Sequence, residues 1–117
     1  MIASIEIALK NELRDAEASA LIEKAESYFG IGIESARCIH IVTIESDMDT
    51  GQLEKAREEI FTNPVTQYSA LSPLDIEFDW CIWVGYRPGV KDNPGDTAME
   101  AMTDHLGKTF SADEGVY

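Results

Sequence analysis

"VGYRPGVKDNPGDTAMEAMTDHLG", residues 84–107, is typical of a strand, a Pro/Gly-rich turn and a helix that ends at a glycine. "IALKNELRDAEASALIEKAESYFG", residues 7–30, shows the same order of signals in different letters. A shift of 77 residues without a gap places Asp15 on Asp92. Few residues are identical, so the similarity lies in the register of pattern and turn signals. The sequence therefore predicts an internal repeat.

The alignment of the two predicted repeats matches charged positions as well as apolar ones. Lys10 aligns with Arg87 and Arg14 aligns with Lys91, in the loop before each predicted helix. The apolar stripes that each helix needs for packing also coincide. These stripes are Ala18, Leu21, Ile22, Ala25, Tyr28 and Phe29, against Gly95, Ala98, Met99, Met102, His105 and Leu106.

The repeat predicts two units in this chain. Residues 1–77 supply one complete unit of strand, helix, strand, helix and strand. Residues 78–117 supply the strand, loop and helix of a second unit. Val116 and Tyr117 fall where the second strand of the first unit lies, so we expect this chain to be a piece of a longer polypeptide.

Apolar alternation and helical spacing together predict an α+β protein. We expect an antiparallel sheet with helices packed on one face. The predicted strands are residues 4–10, 35–46, 65–71 and 78–86, and the predicted helices start near Asp15, at Asp49 and at residue 96 and end at Gly30, near Asn63 and at Gly107.

The strand predicted at residues 78–86 is apolar on both faces. We expect helices or a partner subunit to cover each face, as in strands buried on both sides. Cys38 and Cys81 lie within predicted strands, and two cysteines without regular spacing do not form a disulfide framework. We expect both to be buried free thiols.

Net charge excludes several classes of partner. The chain has 22 acidic residues against 9 Lys and Arg, for a net charge of −13. Such a surface repels phosphate backbones and anionic lipids, so we expect neither nucleic acid nor membrane as a partner. The sequence has no long apolar run and no signal-peptide pattern, which makes a cytoplasmic location the expectation.

Three runs resemble one known family. "FDWCIWVGYRPGVKDNPG" at residues 78–95 matches FDW-x-I-x-VG-x-RPGV-x-DN-x-G, residues 87–107 resemble KPGV-x-D-P-x-G…AL-x-x-LG, and "IFTNPVTQY" at residues 60–68 resembles LL-x-NPV-I-x-x-Y. The family is the small, PurS-type subunit of phosphoribosylformylglycinamidine synthase. The resemblance is closer to the N-terminal region of its fused, single-chain forms, because residues 37–40 lack the R-x-GK run of free subunits. Asn11 and Glu12 stand where the first unit would carry Pro–Gly.

The resemblance implies a structural role. The synthase converts formylglycinamide ribonucleotide, ATP and glutamine into the amidine, ADP, phosphate and glutamate, and its PurS-type units carry no known catalytic residue. The implied partners are the catalytic large domain or subunit and the glutaminase, with ammonia transfer between them and self-association through PurS-like units. ATP and Mg²⁺ are expected on the catalytic part, with no cofactor in this chain.

The residues themselves predict no catalytic and no metal site. Cys38 and His40 lie two apart on a predicted strand, about 7 Å from each other, which is poor geometry for proton transfer. We expect His105 to lie at the boundary of a helix stripe rather than to act as a base. The acidic run that starts at Asp47 lacks the glycine that a calcium loop needs at its sixth position. An enzyme that uses Cys38 or His40 remains a rival hypothesis.

The best candidate site is the loop before the last helix. It concentrates cations ahead of a helix start, where an anion or a partner's carboxylates could bind, although a rigid turn explains the same residues. Asn63 and Tyr68, next to the predicted third strand, are two further candidates. They could equally serve only to end the second helix and to position that strand. A second functional hypothesis is a ferredoxin-like regulatory module that binds a small-molecule effector. The candidate residues are Arg87, Pro88, Gly89, Lys91, Asp92, Gly95, Asn63 and Tyr68.

Overall fold

The computed structural model describes residues 2–85 and 92–117. Within them the chain forms four strands, three α-helices and one π-helical turn. In chain order these are β1 (Ile2–Leu9), α1 (Ala16–Phe29), β2 (His40–Glu45), α2 (Thr50–Ala56), the π-helical turn (Arg57–Phe61), β3 (Gln67–Ala70), α3 (Asn93–Leu106) and β4 (Gly115–Val116).

The four strands form one antiparallel sheet in the order β3-β1-β2-β4. β1 is central, and its register places Ile5 opposite Val42 and Ile7 opposite Ser69. β4 adds only a short pairing at the end of β2, with Val116 opposite Ile44. The α+β class predicted from the sequence, an antiparallel sheet with helices, is therefore confirmed.

The core lies between the sheet and the helices of its covered face. Alternate residues of β1 and β2 point into it, as expected for side chains that alternate between the two faces of a strand. α2, the π-helical turn and α3 supply the opposing layer. The buried residues of this core are Ile5, Ile7, Ile44, Met48, Leu53, Ala56, Met102 and Val116.

α2 follows the sequence prediction closely. The Asp49 side chain accepts a hydrogen bond from the Gln52 N–H at 2.8 Å, and the Gln52 side chain accepts one from the Asp49 N–H at 3.1 Å. This reciprocal capping box satisfies two N–H groups that the helix cannot pair itself. Leu53 and Ala56 are buried. The π-helical turn then ends at Phe61, two residues before the position at which Pro64 disfavours helical backbone.

α1 and α3 begin and end in the same way. The Asp15 side chain accepts a hydrogen bond from the Ala18 N–H at 3.0 Å, and the Asp92 side chain accepts one from the Gly95 N–H at 2.8 Å. Each helix has 14 residues and ends at a left-handed glycine, with φ of 65° in α1 and 68° in α3. The shift of 77 residues therefore places the two helices in register. The division into two units stays a prediction.

The strand predicted at residues 78–86 is not formed over 78–85, the part that the structure describes. β1 already has a strand on each side, so a further strand could join this sheet only at an outer edge, and residues 78–85 do not pair there. An apolar run shows a preference for burial, whereas a strand also needs a neighbour with free backbone groups. Cys81 is consequently exposed and not buried as predicted.

Two further expectations are wrong in part. β2 begins at His40, so Cys38 precedes the strand and is only half-buried. Half of the stripe of α1 is exposed: only Ala18 is buried, while Leu21 is 49% and Phe29 is 76% exposed. Spacing predicts which face of a helix is apolar, but not whether another element covers that face. None of the helices that the structure describes is both long and apolar enough to cross a membrane.

Candidate functional site

The loop candidates that the structure describes are Asp92 and Gly95, and both lie at the start of α3. Asp92 is the N-cap, and a Cβ on Gly95 would lie 2.6 Å from both the Asp92 Oδ2 and the Val116 carbonyl oxygen. Glycine therefore allows close contact between α3, its cap and β4. Arg87, Pro88, Gly89 and Lys91 lie outside the described residues.

Asn63 organises the turn that leads into β3. Its side-chain oxygen accepts a hydrogen bond from the Val65 N–H at 2.9 Å, and its carbonyl oxygen accepts one from the Gln67 N–H at 2.8 Å. Tyr68 lies on β3, opposite Ala8, with its ring 5.6 Å from the guanidinium carbon of Arg37. Among the hydrogen bonds and ion pairs of residues 2–85 and 92–117, none links Asn63 or Tyr68 to the start of α3.

An apolar segment, residues 78–84, is the most exposed hydrophobic part of the described chain. It has a backbone in neither helix nor strand. Contiguous exposed apolar side chains on this scale mark interaction surfaces in soluble proteins. The exposed fractions are 67% for Phe78, 89% for Trp80, 82% for Ile82, 76% for Trp83 and 93% for Val84.

A second feature is a cavity of about 350 Å³ between the β1–α1 loop and the chain before β2. Three cationic residues line it, Lys10, Arg14 and Arg37, and we call it the basic pocket. Sequence analysis did not predict this site. The available signal was the alignment of Lys10 and Arg14 with the cations of the candidate loop, but Arg37 lies in a different part of the sequence.

Cys38 and His40 both lie near the Glu17 carboxylate. Partial burial, and then the negative charges of Asp15 and Glu17, raise the pKa of the Cys38 thiol above its ordinary value. A raised pKa lowers the fraction of reactive thiolate. The His40 Nε2 lies 3.5 Å from a Glu17 carboxylate oxygen, and both side chains are largely exposed. His105 contacts Glu59 at 3.2 Å on the surface.

Glu114 organises the turn before β4. Its carboxylate accepts hydrogen bonds from the Ser111 N–H at 3.0 Å, the Ser111 hydroxyl at 2.9 Å and the Asp47 N–H at 3.0 Å. These hydrogen bonds, with the Lys108 ammonium at 3.2 Å, lower the pKa of Glu114 to about 2. This cluster fixes the C-terminal turn against the loop after β2. No group of three or more potential metal ligands occurs in the described ranges.

Comparisons with known proteins give one structural match. No family model matches the chain, and no curated protein matches it. The solved structure of B. subtilis PurS in its C2 crystal form aligns with 59% of this chain and 91% of that chain, at 20% sequence identity and a TM-score of 0.48. An alignment at this TM-score does not establish a common fold.

Proposed function

We propose that this chain is a non-catalytic docking portion of phosphoribosylformylglycinamidine synthase. In this role it holds the glutaminase and the ATP-dependent amidine-forming part together, so that ammonia passes from one to the other. The sequence from Phe78 to Gly95 supports the proposal, because it matches the motif of the fused single-chain forms along its whole length.

The apolar segment is the single observation that carries the docking role. Two tryptophans and three other large apolar side chains lie in seven consecutive residues, and each is at least 67% exposed. Tryptophan is enriched at the centres of protein interfaces, where a few buried side chains supply most of the binding energy. The same stretch is therefore both the most family-like part of the sequence and the most suitable for a partner.

The exposed stripe of α1 supports self-association as a second part of the proposal. Tyr28 is 77% exposed and Phe29 is 76% exposed, next to the half-exposed Leu21. In a PurS-like unit, we expect the apolar stripe of the helix to pack against the strands. Here half of the stripe of α1 is uncovered, and the apolar segment, which was predicted as a strand, belongs to no sheet. A second copy, or the following unit of a longer chain, can supply the missing partner for each.

The chemistry of the described residues agrees with a role that is not catalytic. The Cys38 thiol has a raised pKa, and the backbone N–H of Cys38 donates a hydrogen bond to the Asp15 carboxylate at 2.8 Å. An activated nucleophile needs the opposite, a lowered pKa or a base within hydrogen-bond reach. The rival enzyme hypothesis is therefore the weaker one.

The test compares glutamine and ammonia as nitrogen donors for the synthase. We would assay amidine formation with glutamine and with ammonia, in the synthase with and without residues 1–117, after checking that both forms are folded. We expect the glutamine reaction to collapse while the ammonia reaction survives. If both reactions continue unchanged, the docking role is wrong.

A point variant makes the test sharper. Ile82→Ser in the apolar segment should lower glutamine-driven activity roughly tenfold, because burial of an isoleucine contributes about 1.5 to 3 kcal/mol. Ile2→Ser is the matched control, since Ile2 is also an exposed isoleucine, at 62%, but lies on β1. Equal losses in the two variants would contradict a role of the apolar segment in docking.

A further inference from the structure

The basic pocket collects positive charge in a strongly acidic chain. It holds three of the 9 Lys and Arg residues of a protein whose net charge is −13. Arg57 and Lys108, by contrast, are held in ion pairs, with Glu54 and Glu58 and with Asp47 and Glu114 respectively. Within the described residues, no carboxylate lies within 4.0 Å of a side-chain nitrogen of the three pocket cations.

Arg37 is fixed in place by two contacts that leave its charge available. Its Nη2 donates a hydrogen bond to the Leu9 carbonyl oxygen at 2.8 Å, and its guanidinium carbon lies 5.6 Å from the centre of the Tyr68 ring. A guanidinium group has five N–H donors, so most of them stay free for a ligand. An arginine held in position loses less side-chain entropy when it binds an oxyanion.

The backbone on the other side of the pocket is also ordered. The Leu13 N–H donates to the Lys10 carbonyl oxygen at 2.9 Å, which closes a turn between the two cations of the β1–α1 loop. Asp15 is the one acidic residue that lines the pocket. Its two carboxylate oxygens accept hydrogen bonds from the Ala18 and Cys38 N–H groups, which hold the carboxylate at the start of α1.

Charge and shape together indicate the class of ligand. Three cations against one carboxylate leave a net charge of +2, which matches the dianion of a phosphate monoester. Leu13, Ile22 and Ala36 line the same cavity of about 350 Å³, so there is room and apolar surface for an organic group beside the phosphate.

We propose that the basic pocket binds the phosphate group of a small organic phosphomonoester, through Lys10, Arg14 and Arg37. This inference goes beyond the docking role and does not depend on it, since no residue of the apolar segment lines the pocket. Binding is salt-sensitive, because Arg14 and Arg37 are exposed and their charges are screened by added ions.

The test is a titration of the 117-residue chain, followed by the NMR signals of its backbone amides. Inorganic phosphate and phenyl phosphate are the probes, with sodium chloride at matched ionic strength as the blank. We expect saturable shifts for residues 9–15 and 36–37, with tighter binding of phenyl phosphate. Equal affinity for the two probes would show a site for free phosphate and overturn the organic part of the proposal.

Variants assign the binding to the pocket. Arg14→Gln should weaken phenyl phosphate binding roughly tenfold, as expected for loss of one hydrogen bond to a charged group. Lys24→Gln removes the same charge from an exposed position on α1 outside the pocket, and should leave the affinity unchanged. Shifts that do not saturate, or equal weakening in both variants, would overturn the site. The titration reads no synthase activity, so its failure is separate from failure of the docking role.

Discussion

The two predicted repeats have the same order of sequence signals, but the structure buries different parts of each. In the first repeat, Ile5 and Ile7 of β1 are 0% and 5% exposed at the centre of the sheet. Their counterparts 77 residues later, Ile82 and Val84, are 82% and 93% exposed. The first strand is therefore core, whereas the corresponding stretch of the second repeat is surface.

The helices show the reverse pattern of burial, with α3 more buried than α1. Met102 of α3 is fully buried, and Leu106 packs against the same core. In α1, Leu21 is 49% exposed and Phe29, the counterpart of Leu106, is 76% exposed. The sheet is thus covered by α3 together with α2 and the π-helical turn, whereas much of the stripe of α1 and the apolar segment stay exposed. Capping and length are local properties, whereas burial depends on which elements meet.

The largest expected effect comes from the helix that covers the core. Met102→Ala should destabilise the protein by about 2 to 4 kcal/mol, because it leaves a cavity in a packed core. Leu21→Ala, on the uncovered stripe of α1, should cost less than about 1 kcal/mol. Urea unfolding of both variants measures the difference. Similar costs would mean that α1 is packed in solution as well as α3 is.

A smaller effect distinguishes the first turns of the two helices. Gly95 and Ala18 occupy the same repeat position, and both are buried. Gly95→Ala should destabilise by about 1 to 2 kcal/mol, because the new Cβ meets the Val116 carbonyl oxygen at 2.6 Å. Ala18→Gly should cost about 1 kcal/mol through backbone entropy.

Helix propensity alone predicts the opposite sign for the first of these changes. Alanine is favoured over glycine within a helix by about 1 kcal/mol. A stabilised Gly95→Ala protein in the same urea experiment would therefore show that α3 and β4 are not in close contact. A neutral Ala18→Gly would contradict a fixed helical backbone in the first turn of α1.

Local signals account for what could be predicted from the sequence. The two terminal glycines and the start of α2 at Asp49 each act within about four residues, so their outcome hardly depends on the rest of the chain. The third helix was expected from residue 96, but α3 begins at Asn93 with Asp92 as its N-cap. The strand predicted at residues 4–10 is also formed, as β1 over Ile2–Leu9. These features fix the α+β class and most of the element boundaries.

Contacts between distant segments account for the features that could not be predicted from the sequence. Whether residues 78–84 join a sheet depends on a free strand edge, which no local pattern reports. The basic pocket combines a loop at residues 10–14 with Arg37, and their approach depends on how the chain returns to β2. The candidate loop was predicted from its cations, and Arg87 and Lys91 lie outside the described residues, whereas their counterparts Lys10 and Arg14 line the basic pocket.

The smallest effect is a pH dependence at β4, the strand against which α3 packs. Hydrogen bonds from Ser111 and Asp47 lower the pKa of Glu114 to about 2, from an ordinary value of 4.5. The unfolded chain therefore binds more protons between these values, so the stability that Glu114 contributes is present above pH 4.5 and is lost as the pH falls toward 2. We expect the amide signals of Ser111 and Asp47 to shift together in this window.

A matched pair of variants assigns that titration. Glu114→Gln has no carboxylate at this position that could take up a proton. The joint shift of the Ser111 and Asp47 amide signals should therefore be absent in this variant. Glu23→Gln removes one exposed carboxylate from α1 and should leave the shift unchanged. If the shift persists in Glu114→Gln, another acid controls the turn before β4. If the joint shift occurs near pH 4.5 in the unmodified protein, the hydrogen bonds of Glu114 do not persist in solution. In that case the turn before β4 is not fixed next to α3, and the surroundings of α3 differ less from those of α1.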